Sequence, residues 1–131
     1  MKRTFRIDLP WPHRGLSPNA RLNRYAKATL FKTTKTVAYV QTKKQMADQG
    51  FLGKAELKPD GLVNIQLVFT PPINRYRDED NMLANCKAVL DGVAQAIGVN
   101  DHYFHFLEQI WLKPKHPGAL KLLIDCEDGN E

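Results

Sequence analysis

The chain reads LVNIQLVFTPP from Leu62 to Pro72, and this stretch decides the fold. Side chains alternate between the two faces of a strand, so one face collects large apolar residues. These are Val63, Ile65, Leu67 and Phe69. The paired prolines lack backbone donors and end the strand. The stretch therefore predicts a buried strand near the middle of the chain.

Downstream, apolar residues recur at helical spacing from about Asp80 to Ile97, and Gly98 supplies a stop. The predicted core side of this helix holds Met82, Cys86, Val89, Leu90, Val93 and Ile97. Residues 104–112 and 120–126 predict two more strands. Residues 113–118 lie between them and fit the loop of a hairpin.

Upstream, Thr4–Leu9 alternates as a strand until Pro10-Trp11-Pro12. A first helix is predicted from about Arg24 to Gln49, ended by Gly50. Its apolar side is predicted to carry Tyr25, Ala26, Thr29, Val37, Val40 and Ala47. The opposite side would then carry Arg24, Phe31, Lys35 and Tyr39.

The predicted order is β-α-β-α-β-β, with the last two strands antiparallel. This order indicates an α+β fold in which a mixed β-sheet packs with two main helices. A length of 131 residues fits a single small domain over residues 1–131, with about 126–131 as an acidic C-terminal tail. The sequence contains no run of roughly 18 apolar residues, so we predict no membrane span. Arg6 and Asp8 interrupt any signal-peptide core, so we expect a cytoplasmic protein.

The net charge of +5 conceals a split between the two halves of the chain. Residues 1–60 carry 13 Lys and Arg against 4 Asp and Glu, and residues 61–131 carry 6 against 10. A basic half beside an acidic half indicates a polyanion-binding surface next to functional carboxylates. Uneven surface charge without function explains these numbers equally well.

The two cysteines, Cys86 and Cys126, lie 40 residues apart and form no metal-binding pattern. In a chain predicted to be cytoplasmic, such thiols are most often reduced core residues. We therefore expect no disulfide and no cysteine nucleophile.

The most informative segment is Arg77-Asp78-Glu79-Asp80-Asn81, between a predicted strand and a predicted helix. Clustered carboxylates at such a junction suit Mg²⁺ or Mn²⁺ together with a substrate phosphate. The competing explanation is that Asp78 or Asp80 only caps the helix N-terminus. Taken alone, the motif favours the cap.

Helix phase adds a cation and a further acid to this segment. Asp80, Lys87 and Asp91 are spaced by 7 and 4 residues and share one helix face. An ordinary solvated face with an i,i+4 pair gives the same pattern. Asp101, in the turn after the helix, is predicted to return to the same end of the sheet as Asp78.

Basic residues complement the acidic ones. We predict that nucleic-acid phosphates contact Arg21, Arg24, Lys27, Lys32, Lys35, Arg75 and Arg77. A charge run of this kind is more often a solvated helix face. What favours function is the presence of a phosphate-binding surface and a divalent-metal cluster in one small domain, because metal-assisted phosphodiester hydrolysis needs both.

Five short blocks together resemble the RusA family of Holliday-junction resolvases. They are Leu9-Pro10-Trp11-Pro12, Ser17-Pro18-Asn19-Ala20-Arg21, Arg77-Asp78-Glu79-Asp80-Asn81, Lys87-Ala88-Val89-Leu90-Asp91 and Asn100-Asp101. The resemblance implies a Mg²⁺-dependent crossover junction endodeoxyribonuclease, a hydrolase of phages, prophages and their bacterial hosts that acts in DNA recombination and repair. It also implies a homodimer that makes paired symmetric nicks in four-way DNA junctions.

The resemblance also implies the roles of individual residues. The catalytic and metal-binding aspartates match Asp78, Asp80 and Asp101, and the catalytic lysine matches Lys87 if residues 82–85 include an inserted helical turn. Asp91 matches a further acidic position and is a candidate metal ligand. The family often carries two adjacent acids where this chain has Asn100-Asp101, so we expect weaker metal binding here.

Two alternatives remain open at this point. A non-catalytic basic DNA-binding module would use the first helix and keep the acids as helix caps. A nuclease of the same chemistry would act on other branched DNA or on RNA.

Overall fold

The computed structural model describes residues 2–51, 61–75 and 79–127. Its strands are β1 (Lys2–Pro10), β2 (Val63–Thr70), β3 (Phe104–Phe106), β4 (Ile110–Trp111) and β5 (Ala119–Glu127). Its helices are α1 (Arg24–Asp48), α2 (Glu79–Asn85) and α3 (Lys87–Ile97), with 3₁₀ turns at Arg14–Leu16 and Asp101–Tyr103. The predicted α+β fold with two main helices is confirmed.

The strands form one mixed sheet in the order β1-β5-β2-β3, and the short β4 also pairs with β2. β5 runs antiparallel to both β1 and β2, whereas β3 and β4 run parallel to β2. The last strand in sequence is therefore central in the sheet. β1 and β3 lie at the two edges.

The predicted hairpin between the last two strands is wrong. β5 pairs with β1 and β2 instead, because the preceding loop carries the chain over the end of β2. In this loop the Leu112 N–H donates to the Phe69 carbonyl and the Lys115 N–H donates to the Pro71 carbonyl, each at 2.8 Å. A long loop held in this way can cross to a non-adjacent position, which a tight hairpin turn cannot.

The predicted single strand over residues 104–112 is also wrong. Phe106 pairs with Ile65 and Ile110 pairs with Val68, so the edge strand contains one residue more than β2 between these positions. One extra residue is a β-bulge, and bulges interrupt a strand most often at sheet edges. The bulge divides the predicted strand into β3 and β4.

The core lies between the sheet and the two long helices. The predicted face of β2 is buried, with Val63, Ile65, Leu67 and Phe69 at most 1% exposed. Neighbouring strands contribute Phe5, Ile7, Leu9, Leu120, Leu122 and Ile124 to the same cluster. Burying one such side chain stabilises the fold by about 1.5–3 kcal/mol, so this face fixes the strand register.

The rotation of α1 differs from the predicted one. Its buried residues are Ala38, Thr42 and Met46. Much of the predicted apolar side is exposed instead, including Tyr25, Val37 and Val40. Lys35 and Tyr39, predicted for the outer side, are half-buried.

A glycine contact explains this rotation of α1. The Lys35 carbonyl of α1 approaches Gly92 of α3 so closely that a Cβ on Gly92 would collide with it, and the Ala38 Cβ would lie 2.9 Å away. Close helix contact needs small residues on both sides, and only this face of α1 provides them next to α3. Size at the contact therefore outweighs the hydrophobicity of Val37 and Val40.

The predicted helix over residues 80–97 is divided at Cys86 into α2 and α3. The Cys86 N–H donates to the Leu83 carbonyl at 3.1 Å, a tighter i→i+3 contact, and the Leu90 N–H then donates to the Cys86 carbonyl at 2.8 Å. This single turn changes the helix phase little. The six predicted core residues of this segment are all buried, from Met82 to Ile97.

Cys86 and Cys126 are buried free thiols, as expected of core cysteines. β5 extends to Glu127, and the remainder of the predicted tail, residues 128–131, lies outside the described residues. None of the helices within the described ranges combines the length and apolar composition needed to cross a membrane.

Candidate functional site

A cleft of about 410 Å³ lies beside the edge strand β3. Its charged lining consists of Asp80, Lys87, Asp91 and Asp101, and its apolar lining consists of Leu83, Ala84, Leu90, Phe104 and Phe106. Four of the five predicted site residues thus meet in one place. The fifth, Asp78, lies outside the described residues.

Two consecutive helices bring three of these side chains to the cleft. Asp80 lies in the first turn of α2, whereas Lys87 and Asp91 lie on α3. Their spacing of 7 and 4 residues predicted a common face, and the short turn at Cys86 preserves it. Their opposite face holds Met82, Cys86 and Val93 in the core, which fixes the rotation of both helices.

Lys87 and Asp91 form an ion pair within the cleft. The Lys87 Nζ lies 3.7 Å from the Asp91 Oδ1, and the two side chains are 67% and 22% exposed. The separation exceeds that of a strong charge-assisted hydrogen bond, which is about 2.7–2.9 Å. The ammonium group therefore retains N–H donors for another anion.

Asp101 reaches the cleft from the turn that follows α3. Gly98 ends α3 in the left-handed conformation with φ of +83°, which favours glycine. Asn100 then caps the next 3₁₀ turn, because its side-chain oxygen accepts from the His102 N–H at 2.8 Å. This bond gives Asn100 a structural role at the position where the resemblance implies a second acid.

The turn that holds Asp101 leads into β3 at the amino end of β2. Phe104, just after Asp101, pairs with Val63 at the amino end of β2. Asp78 lies outside the described residues, so a common end of the sheet for Asp78 and Asp101 stays a prediction. Asp101 shares the cleft with Asp80.

The described lining has three carboxylates and one ammonium group, an excess of negative charge that favours a cation. Within residues 2–51, 61–75 and 79–127, no three His, Cys, Asp or Glu side chains are grouped closely enough to hold a metal ion. Mg²⁺ is usually held by only one or two carboxylates, with waters and substrate phosphates as the other ligands. Exposed Asp80 and Asp101 fit that requirement.

The predicted DNA-binding cations differ in accessibility. Arg21, Arg24, Lys32 and Arg75 are exposed, and Lys27 and Lys35 are half-buried. Arg77 lies outside the described residues. The Arg24 guanidinium lies 5.6 Å from the centre of the Tyr25 ring, and this ring is 78% exposed. The start of α1 therefore presents cations and an aromatic ring to solvent.

A comparison of sequences places the chain in a family. It is 32% identical over 118 residues to a protein of Xylella fastidiosa (strain Temecula1) named "Uncharacterized protein". The match covers 90% of this chain and 74% of the Xylella protein. The chain belongs to the family of this protein. No family model matches the chain. The name of this relative states no activity, so the cleft is the source of functional information for this family.

The apolar half of the cleft does not follow from the sequence motifs. Phe104 and Phe106 alternate with His105, which places both rings on one face of the strand but indicates no functional role. Leu83 and Ala84 carried no comparable signal, since both fit an ordinary helix. The importance of Gly92 was equally hidden, because a glycine within a helical pattern does not reveal what packs against it.

Proposed function

We propose that the protein is a Mg²⁺-dependent endodeoxyribonuclease of the RusA type, with Mn²⁺ as an alternative metal. It resolves four-way DNA junctions by paired symmetric nicks as a homodimer. The observation that carries the proposal is the meeting of Asp80, Lys87 and Asp101 in one cleft. These residues come from α2, α3 and the following turn, and they match the positions to which the RusA resemblance assigns catalysis.

The cleft residues have separate roles in the proposed reaction. Asp80 and Asp101, together with Asp78, would hold the metal. When bound, Mg²⁺ supplies charge stabilisation and activates a water for phosphodiester hydrolysis. The Lys87 ammonium contacts the scissile phosphate and neutralises charge that develops on its oxygens. Asp91 positions this ammonium through the 3.7 Å contact.

Exposed cations at the start of α1 support binding to a polyanion. Arg21, Arg24 and Lys32 are exposed and lie on or just before α1. Such cations bind phosphates irrespective of sequence, which suits an enzyme that recognises the shape of a branch. A two-fold dimer presents two clefts to opposing strands and accounts for symmetric nicking.

The test is a nicking assay on a synthetic four-way junction with and without Mg²⁺. We expect metal-dependent paired nicks from the wild type and at least a 100-fold lower rate from Asp80→Asn, on the order of the loss caused by removing one group that stabilises transition-state charge. Asp48→Asn changes an exposed acid at the end of α1 and is the matched control. Wild-type cleavage by Asp80→Asn refutes the catalytic role of the cleft and favours a DNA-binding module.

Competition among substrates tests selectivity. The wild type is offered the four-way junction, linear duplex, single-stranded DNA and structured RNA in equal amounts. Preferential nicking of the junction supports a resolvase, whereas equal cleavage of all four identifies a general nuclease. Light scattering of the purified protein measures the dimer independently.

A further inference from the structure

The cleft has more room and more apolar surface than a metal and a phosphate use. Five of its nine lining residues are apolar, and its volume is about 410 Å³. Six waters around Mg²⁺ occupy roughly 180 Å³ at about 30 Å³ each. Phosphate oxygens replace some of these waters, so the cleft has space for another group beside the metal and the phosphate. Clefts with a mainly apolar lining and a few converging polar groups are typical of sites that bind an organic ligand.

Two phenylalanines form the aromatic wall of this space. Phe104 is 8% exposed and Phe106 is half-buried, so Phe106 offers the accessible ring. Their ring centres lie 6.3 Å apart at an interplanar angle of 90°, so that one ring meets the other edge-on. His105 lies between them in sequence and points to the other face of the sheet, where its Nδ1 is 3.0 Å from the Asn64 Oδ1. The edge strand thus directs only its aromatic residues towards the acids.

We infer that the apolar half of the cleft is a subsite for one nucleobase of the nucleotide that carries the scissile phosphate. The inference rests on the proposed nuclease function. The Phe106 ring packs against the base, with Leu83 and Leu90 as the remaining apolar contacts. The phosphate of the same nucleotide lies towards Lys87 and the metal-binding acids.

The layout of charge in the cleft supports a nucleotide over other occupants. A fatty or purely aromatic ligand would place an apolar group against three carboxylates and the Lys87 ammonium, which it cannot contact favourably. A free phosphate leaves the aromatic wall exposed to water. A nucleotide matches both halves, because its phosphate and its flat base are joined at a short distance. Aromatic rings also accept every base by stacking, so the subsite is suited to many sequences.

The experiment compares two ligands that differ only by the base. Deoxyadenosine 5′-monophosphate and 2-deoxyribose 5-phosphate are titrated into the full chain with Mg²⁺, and binding is followed by NMR chemical shifts. We expect the nucleotide to bind about 5- to 150-fold more tightly, the range that one stacked base provides. Phe106→Ala should reduce this preference to less than about twofold, whereas Leu107→Ala, at the exposed neighbour, should preserve it.

A second variant keeps the test decisive if Phe106→Ala misfolds. If Phe106→Ala does not fold, Phe106→Leu keeps an apolar side chain and should lose most of the preference with the ring. Equal affinities for the two ligands, or a preference that survives both Phe106 variants, overturns the inference. If the protein prefers the nucleotide but nicks no DNA, the base subsite stands and the proposed nuclease function is refuted. If it nicks junctions but shows no preference for the nucleotide, the nuclease function stands and the base subsite is refuted.

Discussion

The Lys87 Nζ lies 3.7 Å from the Asp91 Oδ1, one helical turn away on α3, and both side chains line the same cleft. An exposed i,i+4 ion pair stabilises a helix by only about 0.3–0.5 kcal/mol. Stability is therefore a weak reason for this pair. Its more specific effect is to restrict where the Lys87 ammonium can lie in the cleft. This geometry favours Asp91 as a positioning residue over Asp91 as a metal ligand.

Asp91→Asn should lower the rate of junction nicking roughly 10- to 100-fold, the usual effect of removing a group that orients a site residue. The loss should appear in kcat and leave KM nearly unchanged, because phosphate binding still has Lys87. Mn²⁺ affinity, measured by electron paramagnetic resonance, should stay at the wild-type value. A clear fall in Mn²⁺ affinity would instead identify Asp91 as a ligand.

A double-mutant cycle with Lys87→Met separates positioning from an independent role. If Asp91 acts through Lys87, the double variant should be about as slow as Lys87→Met alone, since interacting residues are not additive. Additive losses would show that Asp91 acts on its own. The thermal midpoint of each variant checks that none of them has lost its fold.

Lys32 provides a test of the DNA-binding surface. It is exposed on α1, and one phosphate contact contributes a slope of about −0.9 to the dependence of log affinity on log salt. Lys32→Gln should therefore make the slope shallower by about 0.9, measured by fluorescence anisotropy with a labelled junction. Lys115→Gln, in the exposed loop before β5, is the matched control. An unchanged slope for Lys32→Gln removes this residue from the DNA interface.

The predictability of the two helical segments differed for a physical reason. The segment after Asp80 has large apolar residues on one side, so its phase and its shared charged face followed from the sequence. Ala38 of α1 packs against Gly92, and the other buried residues of α1 include Thr42. Such small residues produce little hydrophobic contrast. The exposed Val37 and Val40 then dominated the pattern and gave the wrong rotation.

In the sheet, too, features set by neighbouring residues could be predicted, whereas features set by residues distant in sequence could not. Alternation identified β2 because its period lies within eight residues. The insertion of β5 between β1 and β2 depends on distant backbone contacts such as Lys115 with Pro71, which no local pattern contains. In the cleft, the sequence spacing of Asp80, Lys87 and Asp91 predicted that they share one helix face. The position of Phe106 beside them depends on the tertiary fold and could not be predicted in this way.

Gln45 of α1 and Gln49, which caps the C-terminus of this helix, cover the exposed edge of β1. The Gln45 amide accepts from the Asp8 N–H at 2.6 Å and donates to the Asp8 carbonyl at 2.7 Å. Gln49 makes the same pair of bonds with Arg6, at 2.9 and 2.6 Å. The two amides occupy the backbone groups that would otherwise pair with another strand. Unprotected edges of this kind promote aggregation.

Replacing both glutamines by alanine should lower the free energy of unfolding by about 2–4 kcal/mol, because four exposed hydrogen bonds, each worth about 0.5–1 kcal/mol net, are exchanged for bonds to water. The double variant should also scatter more light during incubation, as the freed edge pairs with other chains. Urea unfolding and light scattering measure the two effects. Gln41→Ala, one turn earlier on α1, should change neither; equal effects in the control would remove the edge explanation.

Gly92→Ala tests the contact between α1 and α3. An added Cβ would collide with the Lys35 carbonyl and would lie 3.0 Å from the Tyr39 backbone nitrogen. Because backbone cannot rotate away as a side chain does, the helices must separate, at a cost of about 1–3 kcal/mol. Thermal unfolding should show a lower midpoint than in Gln95→Ala, an exposed site on the same helix. A stability equal to that of the control would show that α1 does not pack as described.

Cys86 provides a pH test of core burial. Burial raises the pKa of its thiol from 9.0 to about 12, because the apolar surroundings disfavour the thiolate. Above about pH 9 the unfolded chain releases this proton while the folded chain retains it. The contribution is therefore fully present below pH 9 and is lost as pH rises towards 12, which lowers stability.

The wild type should lose about 1–2 kcal/mol more than Cys86→Ala between pH 8 and about pH 10.5, measured by urea unfolding. Comparing the change with pH, rather than the absolute stability, removes the effect of the smaller alanine side chain and of the lysines and tyrosines common to both proteins. Parallel pH profiles for the two proteins would mean that the Cys86 thiol ionises as readily in the folded chain as in the unfolded one. Such a result would contradict its burial between α2 and α3, and with it the core contact that holds the Asp80 and Lys87 helices in phase.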